Sequence, residues 1–318
     1  MIWLIGNKGM LGSEVQKQLS EAKIPFLGTD CEVDITNPIA LENFAASVET
    51  SSYFPSSLPR QERQISWIIN CSAYTNVDKA ESDVEKAELL NKTGACNIAR
   101  IARKIGAKLI HISTDYVFDG SGNVPYLEDD EKNPTGVYGK TKSEGEDLIR
   151  KEMTQYYIIR TAWLYGFSGK NFVYTMTKLM NKNESLKVVN DQKGTPTFAG
   201  DLAETILKLI EKTESAKGLI GPNSIPAFGV YHYTNGGETT WYDFANEIYK
   251  IGKKNGKISN KCEITPCTSD EFPSPVKRPE YSVLSKEKIT KALKIKLPTW
   301  QQSLEKFIKN KSFTPENF

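Results

Sequence analysis

The sequence predicts an α/β protein with a Rossmann-type, doubly wound parallel sheet and a smaller, interleaved C-terminal substrate domain. Short apolar segments alternate with helical segments along the first half of the chain, the pattern of repeated strand–helix–strand units. The first apolar segment leads directly into a glycine-rich turn and a helix, as dinucleotide-binding folds do. Later in the chain the alternation becomes less regular, which favours a second unit.

This change in pattern gives the predicted domain organisation. We expect a dinucleotide-binding domain over residues 1–166 and a substrate-binding domain over residues 167–318. Segments near 187–212 and 230–235 are expected to return to the first domain, so that the two domains interleave.

The individual strands and helices are predicted from hydrophobic periodicity. Continuous apolar runs indicate buried parallel strands, and they cover residues 1–5, 24–30, 67–72, 108–113, 157–162 and 230–234. Helices are predicted after the first glycine turn, near 84–104, and over 171–180, 240–253 and 298–309. Right-handed crossovers place the carboxyl ends of parallel strands along one edge, so Gly6, Ser72 and Thr114 are predicted to lie together there.

The glycine-rich turn after the first strand predicts a site for a dinucleotide. Glycines allow a tight turn and a close approach of the backbone to a pyrophosphate, and the next helix adds free N–H groups and a favourable dipole. The turn contains Gly6, Gly9 and Gly12. This spacing departs from the more usual Gly-x-Gly-x-x-Gly, and a purely structural turn remains the alternative.

Asp30 ends the second predicted strand, about twenty residues after the glycines. A carboxylate at that place can accept hydrogen bonds from the ribose hydroxyls of the adenosine. The same charge would repel a 2′-phosphate, so the sequence favours NADH over NADPH. A solvated turn aspartate is the alternative interpretation.

The segment from Tyr138 to Lys142 predicts a proton donor. Residues four apart lie on one helix face, and an ammonium beside a phenol lowers the pKa of the tyrosine towards the working pH. Tyr138 would then serve as a general acid. Thr114, at the end of a strand, could donate a hydrogen bond to the same substrate oxygen. A capping threonine, an exposed tyrosine and a surface lysine are the alternatives.

The Tyr/Lys spacing is not specific by itself, since it occurs again at Tyr174/Lys178 and at Tyr249/Lys253. Only the first pair follows a glycine-rich turn and a strand that ends in Ser-Thr. The other two pairs lie on amphipathic helical segments and are predicted to be structural.

Composition and charge exclude several classes of protein. The net charge is +2 with 25% charged residues, which gives no strong attraction to nucleic acid or to a membrane surface. No apolar run reaches the length of about 18 residues expected of a membrane helix. We also expect no signal peptide, because the glycine turn arrives at residue 6. We therefore expect a cytoplasmic protein without nucleic-acid or membrane partners.

The cysteines and histidines also fit a cytoplasmic protein, and they predict no metal site. The five cysteines are odd in number and scattered, which suits reduced thiols. The two histidines, His111 and His232, lie far apart without clustered cysteines, so no metal site is predicted and both are taken as ordinary strand residues.

Several separated motifs carry a family resemblance. They are Gly6-x-x-Gly9-x-x-Gly12, Asn70-Cys-Ser-Ala-Tyr-Thr-Asn-Val-Asp-Lys-Ala-Glu81, Ser113-Thr-Asp-Tyr-Val-Phe-Asp-Gly120, Tyr138-Gly-Lys-Thr-Lys142, Arg160-Thr-Ala-Trp-Leu-Tyr-Gly166, Asp191-Gln-Lys-Gly-Thr-Pro-Thr197 and Arg278-Pro-x-x-Ser282-x-Leu284. The chain resembles the extended short-chain dehydrogenases/reductases and, within them, the dTDP-4-dehydrorhamnose reductases. The glycine and Tyr/Lys motifs identify only the superfamily.

The resemblance implies a reaction. It is the reduction of dTDP-6-deoxy-L-lyxo-4-hexulose to dTDP-L-rhamnose, a step of nucleotide-sugar biosynthesis, with hydride from NADH or NADPH and a proton from tyrosine. The positions that match the catalytic Ser/Thr, Tyr and Lys are Thr114, Tyr138 and Lys142.

The resemblance also implies binding positions. Those for the cofactor are Gly6, Lys8, Gly9, Met10, Leu11, Gly12, Asp30, Asp34, Ile35, Ser72, Ala73, Tyr74, Asn91, Tyr138 and Lys142. Those for the substrate are Thr114, Asp115, Trp163 and Arg278, the last because a guanidinium suits diphosphate oxygens. Tyr74 departs from the family pattern, since many relatives carry histidine there.

Other functions remain open on sequence grounds. A nucleotide-sugar epimerase or dehydratase would share the fold, although a dehydratase usually has Asp-Glu after its catalytic threonine, where this chain has Asp115 and Tyr116. Relatives of such reductases can also act as non-catalytic, nucleotide-binding regulatory subunits. The sequence leaves a homodimer open as well.

Residues 49–64 are predicted to be an inserted surface loop, 219–229 have no assignment, and 310–318 are predicted to be a poorly ordered tail.

Overall fold

The computed structural model describes residues 1–50, 64–215, 226–272 and 274–317. The predicted surface loop at 49–64 lies outside the described residues except at its two ends, and so does most of the segment 219–229.

One parallel sheet of six strands organises the chain. Its strand order is β10-β5-β4-β3-β1-β2, and every neighbouring pair in it is parallel. The strands are β1 (Ile2–Ile5), β2 (Phe26–Thr29), β3 (Trp67–Asn70), β4 (Lys108–Thr114), β5 (Tyr156–Thr161) and β10 (Gly229–His232). The predicted fold class is confirmed, and the continuous apolar runs are explained because both faces of the sheet are covered.

Helices pack on both faces of this sheet. On one face α1 and α8 enclose Val15, Leu202 and the inward side chains of β1 and β3. On the other face α2 and α5 enclose Leu41 and Ile98. The helices are α1 (Met10–Glu21), α2 (Pro38–Thr50), α3 (Val77–Ala80), α4 (Val84–Glu88), α5 (Ala95–Ile105), α6 (Val137–Glu152), α7 (Phe172–Lys182), α8 (Ala199–Ser215), α9 (Trp241–Lys254), α10 (Glu287–Leu293) and α11 (Trp300–Lys309).

The long helix predicted near residues 84–104 contains a π-helical turn over Leu89–Gly94, between α4 and α5. A π-turn shifts the side chains that follow it around the helix axis, and such turns occur often at functional sites. Here the turn carries Asn91, which is buried against α6. Hydrophobic periodicity did not predict this irregularity.

The later part of the chain forms a second layer of short elements. Its short strands are β6 (Leu164–Tyr165), β7 (Ser185–Val189), β8 (Lys193–Gly194), β9 (Thr197–Phe198), β11 (Thr239–Thr240) and β12 (Glu263–Cys267). The strand β12 pairs in parallel with β7. An aromatic core that includes Tyr174, Phe244 and Phe307 holds α7, α9 and α11 together. The domain boundary near residue 166 stays a prediction.

The end of the chain differs from its prediction. Phe313 is 3% exposed and packs against Tyr174 and Phe307, and a short 3₁₀ turn follows at Pro315–Asn317. The prediction of a poorly ordered tail is therefore wrong for these residues, because an aromatic anchor fixes them to the core.

Candidate active site

The turn between β1 and α1 has the shape that a dinucleotide needs. Gly6 has a φ of +76°, and a Cβ on it would lie 2.8 Å from the backbone nitrogen of Ser72. A Cβ on Gly12 would lie 2.0 Å from the carbonyl oxygen of Gly6. Only glycine fits both positions.

The same turn leaves the start of α1 open to an anion. Gly9 is the residue before the helix, and no side chain caps the first turn of the helix. The first N–H groups of a helix have no partner within it and favour negative charge. Met10 and Leu11 carry these first amides. The backbone therefore fits the diphosphate of a nicotinamide dinucleotide.

Three charged side chains lie where β2 ends. Asp30 is partly exposed, and its backbone N–H donates to Glu32 at 2.8 Å. The other carboxylate oxygen of Glu32 lies 3.2 Å from Nζ of Lys8, in the glycine turn. These hydrogen bonds keep the pKa of the Glu32 carboxyl low, the two backbone N–H donors having the larger effect. Sequence analysis missed Glu32.

The next predicted pair, Asp34 and Ile35, has two different roles in the loop. One carboxylate oxygen of Asp34 accepts from the N–H and from the hydroxyl of Thr36, each at 2.8 Å. Ile35 is 5% exposed, and its carbonyl accepts from Asn97 at 3.1 Å. Both residues hold the loop in place, and their contact with an adenine stays a prediction.

Asn91 fixes the segment that contains Ser72, Ala73 and Tyr74. Its side-chain oxygen accepts from the backbone N–H of Tyr74 at 2.8 Å, and its amide donates to the carbonyl of Tyr74 at 3.1 Å. The same amide donates to the hydroxyl of Thr141, on α6, at 3.1 Å. The phenol of Tyr74 turns to Asp83 at 3.2 Å. The π-helical turn thus ties the loop after β3 to the helix that carries Tyr138.

Thr114 and Tyr138 meet at the carboxyl edge of the sheet. The Thr114 hydroxyl donates to the Asp115 carboxylate at 2.9 Å and is hydrogen-bonded to Tyr138. The ring of Tyr138 lies 5.6 Å from that of Tyr116, edge to face. Burial raises the pKa of Tyr138, against the effect of the Thr114 hydrogen bond, and Asp115 and Tyr116 raise it further.

This pKa corrects one prediction from the sequence. We expected the Lys142 ammonium to lower the pKa of Tyr138, but that pKa is raised and Lys142 turns elsewhere. Nζ of Lys142 donates to the carbonyl of Ile112 at 2.6 Å and lies 3.2 Å from Nε2 of His111. Lys142 is 1% exposed, and burial lowers its pKa to about 8. His111 is therefore more than the ordinary strand residue that was predicted.

Asp115 is buried beside this pair. It is 4% exposed, and burial raises its pKa to about 6, against the effect of hydrogen bonds from Thr114 and Ser282. A carboxyl group with a raised pKa at a strand end is a common feature of functional sites.

Trp163 lines a cavity together with Tyr116 and has a constrained backbone conformation. Its φ is +47°, which is uncommon for a bulky residue. Its ring stacks on Trp241 with a centroid separation of 3.5 Å. A Cβ on Gly194 would approach the same indole to 2.6 Å. The stacked partner and the glycine together hold the indole in this position.

Two adjoining cavities follow from this arrangement. The smaller has a volume of about 190 Å³ and is lined by Tyr116, Trp163, Gln192, Trp241, Arg278 and Pro279. The larger, of about 440 Å³, shares Gln192, Trp241 and Arg278 with it and adds Phe172, Lys187 and Asp78. Sequence analysis noted the motif with Gln192 but missed Phe172 and Trp241, which carry no local signal beyond their helical patterns.

Arg278 lies in the wall between the cavities. Its guanidinium binds both carboxylate oxygens of Asp78 at 2.6 Å and donates to the phenol oxygen of Tyr116 at 3.0 Å.

The two other Tyr/Lys pairs lie outside this site. Tyr174 is 1% exposed in the aromatic core, and the phenol oxygen of Tyr249 accepts from the N–H of Cys262 at 3.4 Å.

The fold and this site define a class: the chain is an NAD(P)-dependent oxidoreductase with the architecture of the extended short-chain dehydrogenases/reductases. The family model described as RmlD substrate binding domain matches residues 1–313. The chain therefore belongs to that family, and the predicted resemblance is confirmed. No helix among the described residues is long and apolar enough to span a membrane.

Individual relatives agree with this assignment. The dTDP-4-dehydrorhamnose reductase of Escherichia coli K12 is 35% identical, with 98% of each chain covered. The spore coat polysaccharide biosynthesis protein SpsK of Bacillus subtilis is 36% identical, again with 98% of each covered. A solved structure of a dTDP-4-dehydrorhamnose reductase from Clostridium acetobutylicum has a TM-score of 0.82 and 40% identity, covering 96% of this chain and 98% of the other. One from Bacillus anthracis, in complex with NADP, has a TM-score of 0.82 and 33% identity, covering 96% and 97%.

Proposed function

We propose that the chain reduces dTDP-6-deoxy-L-lyxo-4-hexulose to dTDP-L-rhamnose. One observation carries the proposal: Thr114 and Tyr138 meet at the carboxyl edge of the sheet, and Tyr116, in ring contact with Tyr138, lines the adjoining cavity. A carbonyl at that edge would face the phenol of Tyr138, and also the hydroxyl of Thr114 once its hydrogen turns away from Asp115. The names of the relatives supply the sugar.

The cofactor would be held by the residues of the first domain. The turn from Gly6 to Gly12, with the open start of α1, suits the diphosphate, and Asp30 suits the adenosine ribose. The loop of Ser72, Ala73 and Tyr74, fixed by Asn91, would pass beneath the dinucleotide. NADH or NADPH supplies the hydride when it is bound. We propose a preference for NADH, because Asp30 and Glu32 bring negative charge to the end of β2 where a 2′-phosphate would have to bind.

Tyr138 would act as the general acid. Its raised pKa keeps the phenol protonated throughout the neutral range, so the proton is always present to be given. As negative charge develops on oxygen 4 of the sugar, Tyr138 protonates it while Thr114 donates a hydrogen bond to the same atom. General acid catalysis of this kind contributes about 10²–10⁴-fold.

The substrate would extend from this edge through both cavities. The deoxysugar would lie near Asp115 and against the indole of Trp163, and the diphosphate would bind the guanidinium of Arg278. The nucleoside would enter the larger cavity, where Phe172 and Trp241 offer aromatic faces with ring centroids 4.5 Å apart. A guanidinium suits such oxygens because its N–H groups form a rigid fork.

The remaining expectations stay predictions: a cytoplasmic location, the absence of nucleic-acid partners and the oligomeric state. A recycling epimerase would purify with its dinucleotide bound, whereas a reductase exchanges it at each turnover.

The test is loss of NADH absorbance with enzymatically generated dTDP-6-deoxy-L-lyxo-4-hexulose, for wild type beside Tyr138→Phe. We expect NADH consumption and dTDP-L-rhamnose with wild type only. If a chain that binds dinucleotide consumes neither NADH nor NADPH, the proposed reaction is wrong, and a different nucleotide sugar or a regulatory role replaces it.

A further inference from the structure

Three buried polar side chains form a hydrogen-bonded row behind the site: Asn70, His111 and Lys142. Each is 1% exposed. The side-chain nitrogen of Asn70 lies 2.9 Å from Nδ1 of His111, and Nε2 of His111 lies 3.2 Å from Nζ of Lys142. The row joins the end of β3 and the middle of β4 to the helix α6, which also carries Tyr138. Which atom donates and which accepts in each hydrogen bond of the row follows from the orientation of the Asn70 amide.

The orientation of the Asn70 amide is fixed by a backbone group. Its oxygen accepts from the N–H of Ser72 at 3.0 Å and from the hydroxyl of Ser72 at 2.6 Å. A backbone N–H can only donate, so the oxygen of Asn70 must face Ser72. The NH₂ group of Asn70 must then face His111, and it can only donate to Nδ1.

This fixes the tautomer of His111. Nδ1 accepts, so the ring hydrogen lies on Nε2, because a neutral imidazole has one donor and one acceptor nitrogen. The ring is neutral, since burial lowers the pKa of His111 well below its usual value. Nε2–H therefore points at Nζ of Lys142.

An ammonium cannot accept that hydrogen. It has three donors and no lone pair, whereas an un-ionised amine has two N–H groups and one lone pair. The observed contacts fit the amine: Nζ donates to the carbonyl of Ile112 at 2.6 Å and accepts from Nε2–H. The row therefore accommodates Lys142 only in its un-ionised form.

The charged groups around Lys142 do not outweigh the effect of burial, which favours the un-ionised amine. Among the described residues, no ion pair involves Lys142. The carboxylate of Glu146, one turn along α6, favours the ammonium, but it is bound to Arg160 by two hydrogen bonds of 2.9 and 2.8 Å. Cys71, at the end of β3, is neutral because burial raises the pKa of its thiol to about 12.

We propose that, in alkaline solution, His111 is a positioning residue that holds Lys142 as an un-ionised amine in the free enzyme, and that Lys142 there takes up one proton from solvent and leaves His111 when the cofactor binds. This inference rests on the proposed contact of Lys142 with the cofactor. The bound dinucleotide would bring ribose oxygens as acceptors and two negative charges, both of which favour the ammonium. Nε2–H and an ammonium both present hydrogens, so the protonated side chain is released from the row.

The consequence is a pH-dependent cofactor affinity with a defined sign. In the free chain the pKa of Lys142 is lowered to about 8, so its proton is lost above that pH. If the bound form is the ammonium, binding takes up a proton there, and affinity falls by up to about tenfold per pH unit above about pH 8. Below that pH the free Lys142 already carries its proton, and affinity is independent of pH.

The first test reads the tautomer directly. The chain has two histidines, so ¹⁵N-histidine labelling gives two imidazoles by NMR, and a His232→Asn variant assigns His111. We expect the Nε2–H tautomer in the free enzyme, without titration over the pH range in which a free imidazole titrates. The Nδ1–H tautomer would overturn the inference.

The second test counts protons. Isothermal titration calorimetry measures the binding of NADH alone, at about pH 9, in buffers of different ionisation enthalpy. The dependence on the buffer gives the number of protons that the protein takes up on binding. We expect close to one for wild type, and close to none at about pH 6.5, because the free pKa is about 8. No uptake at about pH 9 would overturn the inference.

The Asn70→Asp variant distinguishes a role of the row in setting the ionisation of Lys142 from a purely structural role. A carboxylate there can only accept, so His111 would carry its hydrogen on Nδ1 and present a lone pair to Lys142. The ammonium could then stay in place. We expect a reversed tautomer and no proton uptake at about pH 9. An unchanged proton count in a folded variant would contradict the proposal.

His111→Gln is the conservative partner of that variant. A glutamine can accept from Asn70 and donate to Lys142, as the imidazole does, so proton uptake should be retained. Should either variant fail to fold, the wild-type tautomer and proton count still decide the question. No sugar is present in these measurements, so a chain that binds NADH with proton uptake but reduces no sugar would refute the proposed function and leave this inference standing.

Discussion

Arg278 and Asp78 form an ion pair in the wall between the two cavities: Nη2 of Arg278 lies 2.6 Å from each carboxylate oxygen of Asp78. The two residues are 200 positions apart in the chain, and both line the larger cavity. The pair therefore fixes the guanidinium in the cavity wall before any ligand arrives. A guanidinium has five N–H donors, so this pairing still leaves donors for an anionic ligand.

Replacing this guanidinium should weaken substrate binding selectively. Arg278→Met is expected to raise KM for the nucleotide sugar by about 10–100-fold, because a hydrogen bond to a charged group contributes about 1.5–3 kcal/mol. The value of kcat should change little, since Arg278 is proposed to bind the diphosphate, away from the reacting carbonyl. Steady-state kinetics with varied sugar at saturating NADH measures both.

The neighbouring cation is the control. Lys277 is exposed and pairs with Glu280 at 3.1 Å, away from both cavities. Lys277→Met should leave KM unchanged. Equal effects of the two substitutions would mean that the net charge of the surface, and no contact of Arg278, governs binding.

The proton donor can be tested against a tyrosine with the same sequence spacing. Tyr138→Phe removes the phenolic hydrogen and little else, so turnover should fall by about 10²–10⁴-fold while NADH affinity is kept. Tyr249→Phe is the matched control: its hydroxyl contacts only the N–H of Cys262 among the hydrogen bonds of the described residues, at 3.4 Å, and turnover should not change. Full activity in Tyr138→Phe would refute the assignment.

The strands and the dinucleotide turn could be predicted because their signals are local. A strand buried on both faces is apolar throughout, as in Trp67–Asn70, and Gly6 and Gly12 stand in positions that only glycine can occupy. The two-residue strands of the second layer carry no periodicity, so the sequence could not predict them. The π-helical turn at Leu89–Gly94 was missed for a related reason, since it shifts the helix phase by a single residue.

The candidate site was predicted only in part, because its geometry depends on distant pairs. Tyr138 and Lys142 were correctly placed on one helix, but burial, which the sequence does not display, reverses the expected pKa of Tyr138. The contact of His111 with Lys142 spans 31 positions, and that of Trp163 with Trp241 joins two elements with no shared motif. Such contacts follow from topology and not from spacing.

Glu32 should influence the choice of dinucleotide. Its carboxylate neutralises Lys8 in the glycine turn, at 3.2 Å, so Glu32→Gln removes a negative charge and frees a cation at the end of β2. The ratio of kcat/KM for NADPH to that for NADH should rise, by a few-fold only, because both side chains are exposed and such pairs contribute about 0–1 kcal/mol.

The control for this charge change lies on α2. Glu42 forms an equally exposed pair with Lys104 at 2.8 Å. Glu42→Gln alters the net charge by the same amount but should leave the NADPH/NADH ratio unchanged. A ratio that moves equally in both variants would assign the effect to net charge and remove the role of Glu32.

Replacing Asp115 should raise the stability of the protein and lower its activity. Its pKa is raised from 3.8 to about 6 in the folded chain, so ionisation at neutral pH costs stability. The unfolded chain ionises near its ordinary value, so this cost is absent below about pH 4, develops between about pH 4 and pH 6, and reaches about 3 kcal/mol above that. Asp115→Asn should therefore raise the free energy of unfolding at pH 8 but not at pH 4, measured by urea denaturation, while turnover falls.

Asp119, in the same motif, should behave with the opposite sign. Hydrogen bonds from Ser121, with smaller contributions from Asn133 and Tyr126, lower its pKa to about 2. Its ionised form is favoured by folding, so its contribution is present above about pH 4 and is lost as the pH falls towards 2. Asp119→Asn should then destabilise the protein at pH 8, where Asp115→Asn stabilises it. If both variants shift the free energy of unfolding in the same direction at pH 8, burial of Asp115 does not control its ionisation, and the carboxylate is held by a partner in the folded chain.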